Sequence, residues 1–103
     1  FFERKSLSDL FGTVANEDRH RRLRERALEA REIGAKLMLA IEGTDEDVLN
    51  GCPTSEASGT SVMKALTTMW FKYDLIPLFC SSRSVMEWRM VNLWATFSRS
   101  YCV

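Results

Sequence analysis

Residues 35–43 read AKLMLAIEG, and from Leu37 to Ile41 every side chain is apolar. A strand with one wet face alternates apolar and polar residues. A strand covered on both faces is apolar throughout. Gly43 closes the run, so the stretch predicts a strand between helices, covered on both faces.

Working outward, residues 16–34 (NEDRHRRLRERALEAREIG) are rich in Arg, Glu and Ala, with Asn16 placed to cap a helix and Gly34 placed to stop it. Its apolar positions (Leu23, Ala27, Leu28, Ala30) are sparse, so only a narrow stripe is expected to be buried. Upstream, Phe1–Lys5 reads as a short strand, and Ser6-Leu-Ser-Asp9 has the form of a capping box ahead of Leu7, Leu10 and Phe11.

Downstream, residues 43–59 hold three glycines and a proline and read as loop, with one helical turn at Asp45–Leu49. Asp45, Glu46 and Asp47 suit the positive end of that turn. Residues 60–75 (TSVMKALTTMWFKYDL) read as a helix and LIPLFC as a second apolar strand. Pro77 predicts that this strand lies at an edge or begins after the proline. A long last helix follows, with Ser84 and Glu87 set as another capping box. The order β-α-α-β-α-β-α implies crossovers and a mostly parallel sheet flanked by helices.

The bulk numbers fit one α/β domain spanning 1–103. A chain of 103 residues, 46% hydrophobic and 27% charged, can bury a core, and zero net charge leaves any argument for a polyanionic partner to local patches. No apolar run has the ~18 residues that a membrane span needs, so a membrane is not an expected partner. Cys52, Cys80 and Cys102 are far apart and outside any CxxC pattern, which predicts free thiols in an intracellular protein.

The charged start of the chain, FFERKSLSDL, needs a reason. Alternation sends Phe1, Glu3 and Lys5 to one face of the strand and Phe2 and Arg4 to the other. The helix from Ser6 folds back and can bring Asp9 to the same corner. Carboxylates beside an ammonium can hold a hard divalent cation and offset charge on a phosphoryl group. The plain alternative is a solvated edge strand with Asp9 as a capping residue.

FFERKSLSDLFGTV resembles the ERKxxxD motif of the XPF-type structure-specific endonucleases, a branch of the restriction-enzyme-like PD-(D/E)xK nucleases. The likeness extends along the arginine-rich helix, the strand ending in IEG, the helix SGTSVMKALTTMW, the strand IPLFC and the closing helix. It implies a three-layer restriction-endonuclease-like domain that hydrolyses phosphodiesters in branched DNA with Mg²⁺ or Mn²⁺, in the cytoplasm and nucleoid or in a nucleus. It implies Glu3 as a metal ligand, Lys5 as the catalytic lysine, Asp9 as a second metal or water ligand, and Arg4 at the scissile phosphate or behind the site. Arg19 matches a substrate-facing arginine.

The family's motif also has an aspartate in a Gly-Asp on a preceding strand. The sequence starts after that point, so a domain truncated at its N-terminus is expected, with one sheet edge uncovered. The helix-hairpin-helix domain of many relatives does not occur in these residues. A nuclease-like module that binds DNA or protein without cleaving is therefore the alternative.

Residues 17–32 carry six arginines, four glutamates and one aspartate. Two readings stand side by side: an exposed helix laced with pairs such as Arg21–Glu25, or an early cluster (Arg19, His20, Arg21, Arg22, Arg24) aimed at a DNA backbone, with contact favoured for the first turn and Arg19, His20 and Arg22 as its residues. His20, the chain's one histidine, is expected at the surface beside those arginines. Glu42 either approaches the metal or pairs with a cation or the next loop. Met86, Met90, Leu93, Phe97 and Tyr101 form one stripe, widened by Trp88 and Trp94. Core packing takes much of it, and a homodimer or heterodimer contact through this helix is expected for the rest.

Overall fold

A computed structural model describes residues 1–101, without the side chains of Phe97, Arg99, Ser100 and Tyr101. The expectations for Phe97, Tyr101 and Cys102 therefore lie outside the described residues. The elements are β1 (Phe2–Ser6), α1 (Leu7–Ala15), α2 (Glu17–Glu32), β2 (Leu37–Glu42), α3 (Asp45–Asn50), α4 (Gly59–Tyr73), β3 (Leu75–Cys80) and α5 (Arg83–Tyr101).

The three strands form one sheet in the order β1-β2-β3, parallel throughout. The apolar run is its middle strand, and Leu39, Ala40 and Ile41 are all fully buried. Three consecutive side chains without exposure are what two covered faces produce. Glu3 is in register with Leu39, Lys5 with Ile41 and Ser6 with Glu42. Pro77 sits within β3, a strand with a free edge, where a missing N–H breaks no ladder.

Strands laid down in the order 1-2-3 by crossovers of one hand put both connections on the same side. Accordingly α1–α4 share one face. Leu10, Phe11, Leu23, Ala27, Val48, Val62, Leu66 and Met69 pack there against Leu37, Leu39, Ile41 and Leu75. The opposite face carries α5, whose Met86 joins Ala40 and Cys80 in a second cluster, the smaller of the two among the described residues. The architecture is a small α/β sheet with helices on both faces.

Local signals explain the boundaries. Ser6 Oγ accepts the Asp9 N–H at 3.2 Å and Asn16 Oδ1 accepts the Arg19 N–H at 3.0 Å. At the end of α2, Gly34 (φ 75°) allows Ala35 N–H to reach Ala30 O and Gly34 N–H to reach Arg31 O, a Schellman motif. Thr44 and Asp47 form a full capping box on α3. Gly59 is required for another reason: a Cβ there would stand 2.3 Å from Val48 O, so α4 starts against the end of α3. Two caps differ from expectation: at α1 only the Ser6 half of the Ser6–Asp9 box forms among the described residues, and the other difference is at α5. Ser82, not Ser84, opens α5, its Oγ accepting the Val85 N–H at 3.2 Å.

Candidate functional site

β1 runs towards the carboxyl edge of a parallel sheet, where ligand sites of α/β folds form. Its alternation divides the charged residues between the two faces. Glu3 turns to the α1–α4 side and accepts from Arg26 Nη2 of α2 at 2.8 Å. Lys5, two residues on, shares that face and is half-buried, with no hydrogen bond or ion pair to its side chain among the described residues.

Arg4 points to the α5 side. Its Nη2 lies 3.9 Å from Glu42 Oε1, and Arg83 Nε donates to the same oxygen at 3.2 Å. Glu42 thus serves two arginines on the face opposite Glu3 and Lys5. Of its two expected roles, the structure shows the pairing, with arginines as partners. Parity along the strands decides this: Glu42 opposes Ser6, an even position like Arg4.

Asp9 lies exposed on the first turn of α1, where its N–H is held by Ser6. Its carboxylate has no hydrogen bond or ion pair among the described residues. No three His, Cys, Asp or Glu side chains gather in a metal-holding group among those residues. A resident Mg²⁺ takes one or two carboxylates and completes its shell with water and phosphate. Glu3 is a carboxylate that could play such a part, and in this structure it is held by Arg26.

Along α2 the arginines are largely paired. Asp18 binds both Arg21 and Arg22, and the Arg21 hydrogen bond, then the charge of Arg22, hold its carboxyl below the usual range. Arg21 also reaches Glu25 at 3.2 Å, Arg24 reaches Glu17 at 3.1 Å, and Arg31 donates to Lys72 O at 3.1 Å. The ion-paired helix is therefore the resting arrangement. Arg19 has no ion pair among the described residues; its Nη1 lies over Gly12, where a Cβ would come within 2.9 Å.

His20 departs from the expected exposed position. It is half-buried between α2 and α4, with Nδ1 3.2 Å from Arg24 Nη1 and Nε2 buried without a partner. Burial first, then the charge of Arg24, push its pKa below the ordinary value. The signal was legible, since His20, Leu23, Ala27 and Ala30 fall on one helical stripe.

No helix among the described residues is long and apolar enough to cross a membrane. No protein-family model matches the chain, and no curated protein matches it.

Proposed function

We propose that this chain is a divalent-metal-dependent endonuclease domain of the XPF type, restriction-endonuclease-like in fold, which hydrolyses phosphodiesters in branched DNA inside the cell. The observation that carries this reading is that Glu3 and Lys5 share one face of β1, with Lys5, nearer its carboxyl end, half-buried and unpaired among the described residues. An ammonium held back from solvent without a counter-charge is poised for an anionic ligand.

Glu3 would hold the Mg²⁺ or Mn²⁺, with Asp9 of α1 completing the acidic side. When bound, the metal polarises a phosphoryl oxygen and lowers the pKa of an attacking water. Lys5 offsets the charge that develops on the non-bridging oxygens. Arg4, held by Glu42, stands behind the strand. Arg19 binds the backbone directly, and Arg22 does so by exchanging Asp18 for a phosphate.

One observation favours a second reading. The Glu3–Arg26 pair at 2.8 Å neutralises the first of the two carboxylates this reading assigns to the metal, which suits a nuclease-like module that binds DNA or a partner without cutting. Pairing of two such domains would use α5, where Trp88, Val91 and Trp94 are exposed. Sedimentation that shows the same monomer mass at every concentration would remove that pairing.

Cleavage of a labelled DNA fork and of a plain duplex, with Mg²⁺, Mn²⁺ or EDTA, tests the enzyme. The expected result is metal-dependent cutting of the fork, abolished in Lys5→Ala with the fold intact. A folded protein that binds the fork but leaves it whole with either metal selects the binding module.

A further inference from the structure

A cleft of about 330 Å³ opens between α2 and α4, walled by His20 and Arg24 from one helix and by Thr68, Lys72 and Tyr73 from the other. It draws on no residue of β1 or α1, so it stands apart from the reading of the ERK strand. Its chemistry follows from what each group can donate.

Arg24 Nη1 faces His20 Nδ1 at 3.2 Å. A guanidinium only donates, so Nδ1 accepts and the neutral ring carries its proton on Nε2. That N–H is buried without an acceptor among the described residues. The lowered pKa of the ring agrees with this neutral form.

Arg24 also pairs with Glu17, but unevenly. The glutamate side chain is 81% exposed and the arginine 27%. Water thus competes for the acid while the guanidinium stays against the cleft. Lys72 has no side-chain partner among the described residues, nor has the Tyr73 hydroxyl. Among the described residues no carboxylate lines the wall, and Ala65 and Met69 supply an apolar floor.

We propose that this cleft binds a phosphate group. Two cations on separate helices match the charge of a tetrahedral oxyanion, and its oxygens can accept from Arg24, Lys72 and Tyr73 together. The group comes either from a small phosphate compound or from the backbone of a nucleic acid, and the two are separable by experiment.

His20 is the chain's only histidine, so its ring carbon–proton signal reports on the cleft alone. Inorganic phosphate and, separately, a short DNA duplex are titrated at about pH 7.5, above the ordinary imidazole pKa, with ionic strength held by chloride. The expected result is a saturable shift with phosphate, weakened about tenfold in Lys72→Gln, the loss of one charge-assisted hydrogen bond. Lys72 is exposed, and unchanged methyl signals confirm that the variant keeps its fold.

DNA that saturates the shift at lower concentration than phosphate assigns the cleft to the backbone. Saturation by phosphate alone assigns it to a small compound. A shift that never saturates, or a Lys72→Gln chain that responds as the parent does, overturns the proposal.

Discussion

Leu39 and Ala40 are neighbours on β2, both fully buried, yet they face different environments. Leu39 looks into the layer where helices α1–α4 pack the large core. Ala40 looks at Cys80 and Met86, and among the described residues Leu78, Val85 and Met90 are partly buried around them. Cohesion is concentrated on one side of the sheet. On the other, α5 leaves Trp88 and Trp94 more than 60% exposed, apolar surface that a packed helix would hide. The two faces do different work: one holds the fold, and the other is held by it.

Substitutions on opposite faces test that asymmetry most strongly. Leu39→Ala should destabilise the protein by about 2–5 kcal/mol in denaturant unfolding, because it opens a cavity where all the surrounding atoms are fixed. Met86→Ala should lie at the low end, about 2 kcal/mol, and should speed hydrogen exchange in α5 while α1–α4 stay protected. Equal losses, or exchange that rises everywhere, would mean that the two faces unfold as one unit.

Arg26→Ala sharpens the comparison at the carboxyl edge. Removing an ion pair that is 44% and 25% exposed should change stability by no more than about 1 kcal/mol. It should also strengthen Mn²⁺ binding at Glu3, read by paramagnetic broadening of signals from β1. Binding that is unchanged or absent would separate Glu3 from any metal role.

The smallest effect is one of pH. His20 has a folded pKa below its unfolded value near 6.5, so the unfolded chain binds the extra proton first. Its contribution to stability is complete above about pH 6.5 and is lost as pH falls through the folded pKa. A His20→Gln variant should flatten the melting temperature against pH in that window. An unchanged slope would put the titration elsewhere.

The fold was largely legible, because it rests on periods. Five apolar residues in a row cannot sit half in water, so Leu37–Ile41 announced a strand covered on both faces, though not its place in the middle of the sheet. Of the two readings of Pro77, the edge strand holds and a start after the proline does not. Caps were readable where a single residue could serve, as at Asn16. They failed where two could, since in Ser81-Ser-Arg-Ser84 the choice of Ser82 depends on how β3 hands over to α5.

The site was legible only as far as strand parity carries, which separates Glu3 and Lys5 from Arg4. The partner of Glu3 lies 23 residues away and the Arg83 partner of Glu42 lies 41 away. No local pattern encodes such pairs, because tertiary packing chooses them among many equivalent arginines. The inward turn of His20 was encoded in its helical stripe but was masked by the charges around it.

The one-sided topology also bears on how the chain is made. Among the described residues, the buried members of the main core lie between Leu10 and Leu75. A nascent chain emerging from the ribosome at about 5–20 residues per second therefore exposes the whole of that core before any of α5 is free. The residues of that core can begin to gather before the last helix has joined them. Its aromatic residues then meet a surface already forming.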